Sequence, residues 1–279
     1  MNKWKCTIPW KEINELSNLT NLIYRIDFNM YTHNKKWCQN IDMYNKLLLK
    51  LQENLPNGII IKFFTNSEDL QCIFGKIPNK KKYIIVFRGS ESIKDWINNI
   101  KFFKKRLIKN IKVHSGFLNQ LICDDTFKKM KECVRENIQK NPDWEWYVTG
   151  HSLGAGLSVL TGYFMSKIFK NTLWTVLSLA SPRIGNKDFK SDIEKISNLR
   201  HFRICNNRDI ITAMPMWGYY HTGYNILYNP KKSVCDEKGY NPNVSYSIKR
   251  CWNIRDHYCT RYVNNLNKGI NNRKKNISI

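Results

Sequence analysis

The chain has 279 residues, 42% of them hydrophobic, and a formal net charge of +24 at pH 7. That supplies enough apolar material for one sizeable core, and no run approaches the ~18 apolar residues that a membrane-spanning helix needs. A field this positive draws polyanions, either nucleic acid or an anionic lipid surface.

The lysines are spread along the whole chain. The local runs Lys80-Lys81-Lys82, Lys104-Lys105-Arg106 and Arg273-Lys274-Lys275 carry no interleaved aromatic residues on which bases would stack, which argues against a nucleic-acid partner. Nine cysteines without a single CxxC pair signal neither a zinc cluster nor a closed disulfide framework, so free thiols are expected, although Cys251 and Cys259 bracket His257 and could pair. The first ten residues hold Lys3 and Lys5 but no apolar stretch of a secretory leader, so the expectation is a soluble protein, cytoplasmic over secreted.

In chain order, residues 1–55 form an expected N-terminal helical segment packed on the core, with one candidate helix at about 42–53. Short apolar runs bounded by turn residues then predict strands at 58–64, 70–74 and 83–87. A helix is predicted over 117–139, where Phe127, Met130, Val134 and Ile138 recur at three- and four-residue spacing. A strand at 146–149 leads into a helix at 153–169, followed by strands at 173–180, 201–205 and 224–228. An early hairpin and then alternating strands and helices predict one domain, residues 56–263, with a mixed, mainly parallel sheet covered on both faces. Residues 264–279 read as a polar, basic tail that frays.

The most informative stretch is Tyr147-Val148-Thr149-Gly150-His151-Ser152-Leu153-Gly154. An apolar strand ends in Gly-X-Ser-X-Gly and runs into small helix-compatible residues, the setting that lifts a serine hydroxyl to the end of a sheet. A serine hydroxyl is a poor nucleophile at neutral pH. It needs an imidazole to take its proton and a carboxylate to hold that imidazole in the right tautomer.

Six histidines are available. His33 and His114 precede the serine, whereas the chain order in such sheets is serine, acid, histidine. His151 adjoins Ser152 and should point away from the hydroxyl, and His201 opens a strand. His221 and His257 remain; His221 reads as a structural residue entering the next strand. For the acid, Asp209 follows the strand 201–205 by a short polar exit, at the sheet edge where catalytic side chains collect. Asp188 and Asp192 read instead as solvated charges on a surface helix.

Several separated blocks then resemble one family, the class 3 lipases of the fungal triacylglycerol lipase type. The blocks are Val86-Phe87-Arg88-Gly89-Ser90 with Asp95-Trp96, Val113-His114-Ser115-Gly116-Phe117, Gly150 to Gly154, Ala180-Ser181-Pro182-Arg183-Ile184-Gly185-Asn186, Asn206 to Ile210, and Asp256-His257. They occur in the family's order. The resemblance implies an α/β-hydrolase fold with Ser152 as nucleophile, Asp209 as orienting acid and His257 as base. It also implies an oxyanion hole from the amides of Ser90 and Leu153.

Directly after Ser90, at about 91–106, Ile93, Trp96, Ile97 and Ile100 would share one helix face, and the family places its lid here. The implied activity is hydrolysis of lipid carboxylic esters of the triacylglycerol type through an acyl-enzyme, at a lipid interface and without metal or organic cofactor. Two alternatives accompany it. One is a phospholipase or other acyl-ester hydrolase at anionic membranes; the other is a lipase-like lipid-binding module without turnover. The oligomeric state is not legible.

Overall fold

A computed structural model describes residues 8–25, 58–90, 103–206, 209–229, 234–239 and 254–277. Eight strands form one sheet: β1 (Ile59–Thr65), β2 (Gln71–Ile77), β3 (Lys82–Phe87), β6 (Glu145–His151), β7 (Trp174–Leu179), β8 (Leu199–Asn206), β9 (Tyr224–Asn229) and β10 (Val234–Gly239), in that spatial order. Pairing is parallel from β3 through β9 and antiparallel at both flanks. The middle strands are continuous apolar runs because both of their faces are covered. In β3, Ile85 and Phe87 point to one core and Ile84 and Val86 to the other.

The first face is covered by helices from the middle of the chain: α2 (Ser115–Ile122), α3 (Thr126–Lys140), α4 (Leu153–Ile168) and α5 (Lys187–Ile193). Phe117, Met130, Leu157, Leu160 and Phe189 pack there on Trp146, Val148, Trp174 and Val176. The opposite face is covered by the two terminal helices, α1 (Trp10–Leu22) and α6 (Cys259–Ile277). Ile13, Leu16 and Leu19 of α1 and Tyr262 and Leu266 of α6 meet Leu177, Leu179, Phe202 and Ile226. A buried hydroxyl contact, Thr20 Oγ1 to Thr149 Oγ1 at 2.8 Å, ties α1 to β6.

Three details differ from the sequence reading. The single helix expected over 117–139 is two, because Asp124 and Asp125 adopt positive φ of 51° and 57° and turn the chain between α2 and α3. The Asn66 amide donates to the carbonyls of Gln120 and Cys123 at that break. Residues 264–277 continue α6 instead of fraying, since Tyr262, Val263 and Leu266 anchor its first turns in the core. A two-stranded sheet, β4 (Lys104–Ile108) with β5 (Ile111–His114), and the edge strand β10 had no alternating pattern to betray them. Cys259 is a buried free thiol, and Cys251, considered as its partner, lies outside the described residues.

The candidate helix at 42–53 and the lid residues Ile93, Trp96, Ile97 and Ile100 lie outside the described residues. Among the described residues, no helix is long and apolar enough to cross a membrane.

Candidate active site

β6 delivers Ser152 through a turn tight enough to demand glycine on both sides. A Cβ on Gly150 would lie 2.3 Å from the Gly154 carbonyl oxygen, and one on Gly154 would lie 2.5 Å from that of Phe87. Ser152 itself has φ 59° and ψ −120°. For a residue with a side chain this conformation costs about 1–3 kcal/mol and persists only where the surroundings enforce it. The Ser152 amide donates to the Leu179 carbonyl of the neighbouring strand at 3.0 Å, which is part of that enforcement.

The three side chains singled out as nucleophile, acid and base converge on this turn. Asp209 lies just beyond β8, and His257 closes a short 3-10 turn, Ile254–His257, immediately before α6. His257 Nε2 stands 2.7 Å from Ser152 Oγ, and its Nδ1 stands 2.9 Å from each carboxylate oxygen of Asp209. Ser152, Asp209 and His257 are 4%, 2% and 0% exposed, so the relay is shielded from competing water. Between two carboxylate oxygens Nδ1 must carry the proton, which leaves Nε2 free to accept from the serine hydroxyl.

Asp209 is held on every side. Its oxygens also accept from the Ile211 amide at 2.9 Å and the Tyr262 hydroxyl at 2.6 Å. Three donors on one carboxylate hold it in a single orientation. Tyr262 accepts in turn from the Asn206 amide at 3.0 Å, and the Asn206 side chain donates to the Asp256 carbonyl at 2.8 Å. The end of β8 and the start of α6 are thereby stitched together around the acid and the base.

His151 turns away from the hydroxyl, as expected for a residue beside the nucleophile. Its Nε2 meets the backbone carbonyl of His257 at 2.6 Å, and its Nδ1 meets the Tyr24 hydroxyl at 2.8 Å. Burial pulls its pKa well below the usual histidine value, so it stays neutral: Nε2–H donates and Nδ1 accepts. His221 is buried away from the triad, and Asp192 pairs on the surface with Tyr163 and Lys167. Asp188 is exposed.

The loop after β3 is pressed against the same turn. A Cβ on Gly89 would lie 2.2 Å from Tyr24 Oη and 3.4 Å from Ser152 Cβ, so no larger residue fits between them. Arg88 is fixed from behind by its amide and guanidinium, which donate to the Gln71 carbonyl at 2.9 Å and to Gln71 Oε1 at 2.7 Å. The backbone at Arg88, which Ser90 follows by two residues, lies against the first turn of α4, since a Cβ on Gly154 would come within 2.7 Å of the Arg88 carbonyl oxygen; Leu153 opens that helix and its amide has no intrahelical partner. Among the described residues, no group of three or more histidine, cysteine or carboxylate side chains is arranged to hold a metal ion.

Sequence reasoning missed Tyr24, Tyr262 and Asn206 and gave His151 no role. Tyr262 carried a faint signal, because with Leu266 it marks a helical apolar face just after His257. Tyr24 carried none, since its role depends on how α1 docks.

A family model described as Lipase (class 3) matches residues 84–219. The chain is 27% identical over 235 residues to a lipase of Rhizopus niveus, covering 79% of this chain and 59% of that relative. It is 29% identical over 155 residues to the chloroplastic phospholipase A(1) DAD1 of Arabidopsis thaliana, covering 49% and 34%. The chain thus spans about three fifths or less of the length of these two relatives. The crystal structure of a lipase from Rhizopus microsporus var. chinensis superposes with a TM-score of 0.72 at 25% identity, over 89% of this chain and 85% of that one. In sequence blocks, strand order and overall architecture, the chain is similar to the class 3 lipases.

Proposed function

We propose that the protein hydrolyses carboxylic esters of lipids, of the acylglycerol type, through an acyl-enzyme on Ser152. The observation that carries this reading is the unbroken relay from Ser152 Oγ through His257 to Asp209, at 2.7 and 2.9 Å, on a strained strand-to-helix turn. His257 takes the serine proton as Oγ attacks the ester carbonyl, and then gives it to the departing alkoxide; water repeats the cycle on the acyl-enzyme. Charge developing on the carbonyl oxygen meets the amides of Ser90 and Leu153. Each such donor is worth about 3–4 kcal/mol in the transition state. On this reading the lid expected at Ile93, Trp96, Ile97 and Ile100, which lie outside the described residues, would open onto the lipid phase.

A second reading is favoured by two observations, the likeness to a phospholipase A(1) and the net charge of +24. Phospholipids of anionic membranes would then be the substrate, cleaved by the same apparatus. The deciding experiment offers emulsified triacylglycerol, diacylglycerol, phosphatidylcholine and phosphatidylglycerol to the wild type and to Ser152→Ala. Fatty acid released from a neutral acylglycerol by the wild type alone supports the first reading, and release from phospholipid alone supports the second. Lipid binding without any Ser152-dependent release would identify a module that has lost turnover.

A further inference from the structure

Trp217 is 86% exposed, Phe103 69% and Met216 41%, on a chain whose other large aromatic side chains are mostly buried among the described residues. Large apolar groups gathered on a soluble surface mark a contact site. The two segments that carry them are bound to each other. The Phe103 carbonyl accepts from the Tyr219 hydroxyl at 3.1 Å, and Lys104 Nζ sits 4.3 Å from the centre of the Tyr219 ring. Arg183, in the loop leaving β7, donates to the carbonyls of Pro215 at 3.0 Å and Met216 at 3.1 Å. Trp217 follows Asp209 by eight residues, so this fixed turn hangs from the carboxyl edge that holds Ser152.

The charge around the patch is one-sided. Phe103 is followed by Lys104, Lys105 and Arg106, all exposed, on β4. No Asp or Glu occurs from Phe103 to Cys123 or from Ile210 to Cys235, and Asp209 is consumed by His257, Tyr262 and the Ile211 amide. An indole and a phenyl ring flanked by cations that make no ion pair among the described residues match an anionic lipid surface: the rings enter the headgroup layer and the cations pair with phosphates.

We propose that Phe103, Met216 and Trp217, with Lys104, Lys105 and Arg106, form a fixed docking surface that seats the carboxyl edge of the sheet on an anionic lipid surface. This rests on the reading of that edge as an ester-hydrolase site and names the partner it faces. Phe103 and Lys104 to Arg106 fall at the end of the 91–106 span read as a lid, but Lys104–Ile108 forms β4 and is paired to β5, so this surface is fixed in place.

The test is sedimentation with vesicles of phosphatidylcholine alone or mixed in equal parts with phosphatidylglycerol, using Ser152→Ala protein so that no lipid is consumed and the outcome is independent of turnover. The parent should bind the mixed vesicles and lose binding as salt rises. Added Trp217→Ser should weaken binding about tenfold, and Phe103→Ser less. The pair Lys105→Glu and Arg106→Glu should remove the preference for phosphatidylglycerol, since each cation near such a surface contributes about fivefold. All three should keep the parent's thermal midpoint, because these side chains are exposed. Unaltered vesicle binding in both Trp217→Ser and the charge-reversed pair would overturn the proposal. So would a concentration-dependent dimer in the parent that Trp217→Ser dissolves, which would give the patch to a second copy of the chain.

Discussion

The two faces of the sheet do different work. The face covered by α2 to α5, all from the middle of the chain, packs tightly around Trp146 and Trp174 and carries the turn that presents Ser152. The face covered by the terminal helices α1 and α6 supplies the groups that hold the relay in place, Tyr24 through His151 and Tyr262 through Asp209. One face sets where the nucleophile stands; the other sets how its partners are oriented. Changes on the first should therefore act on stability, and changes at the relay on activity.

The largest effect belongs to the relay. Asp209→Asn keeps the shape of the acid but allows the wrong imidazole tautomer, and ester hydrolysis should fall by about 10⁴-fold in kcat with little change in melting temperature. Activity within tenfold of wild type would separate Asp209 from the mechanism. On the other face, Trp174→Ala removes a fully buried ring packed between Trp146 and Phe169. It should cost about 3–5 kcal/mol in denaturant unfolding while the folded fraction retains its turnover. A loss below about 1 kcal/mol would mean that this core is looser than the packing shows.

Acid should act through buried histidines outside the relay. Desolvation holds His114 down at about 4 and, with a smaller push from Arg203, His201 down at about 3. In the unfolded chain both take up a proton below the usual 6.5. The unfolded state then binds more protons, so stability is complete above about pH 6.5 and is lost as the pH falls toward 4. Near pH 5 each histidine should have cost about 2 kcal/mol, seen as a falling melting temperature between pH 7 and 5. A flat profile over that interval would contradict their burial.

The smallest effect sharpens the comparison most. Tyr262→Phe takes one donor from Asp209 and one acceptor from the Asn206 amide, while the ring stays packed. Activity should fall about tenfold and stability by about 1–2 kcal/mol. An equal loss in Trp174→Ala folded protein would erase the division of labour between the faces.

What could be read from sequence follows the same division. The middle strands are continuous apolar runs, Ser152 sits in a motif whose glycines have a local steric reason, and Asp209 follows a strand by a short polar exit, so local pattern reaches all three. His257 needed chain order and the resemblance, because its exit from the sheet follows no periodic pattern. Tyr24 could not be reached at all: it touches His151 only after α1 has crossed 127 positions of sequence to dock on β6. The docking hairpin was equally opaque, since β4 reads Lys-Lys-Arg-Leu-Ile with an exposed face and pairs with β5 alone. The extent of α6 was misjudged because its polar residues outnumber the few apolar ones that anchor it.

The most direct test of the relay is covalent. A fluorophosphonate probe reacts with a serine only when a neighbouring base draws off its proton and an oxyanion hole receives the developing charge. Peptide mass spectrometry after labelling should find one adduct, on Ser152, and none in Ser152→Ala. Undiminished labelling of Ser152→Ala, or an unreactive Ser152 in folded wild-type protein, would contradict the account.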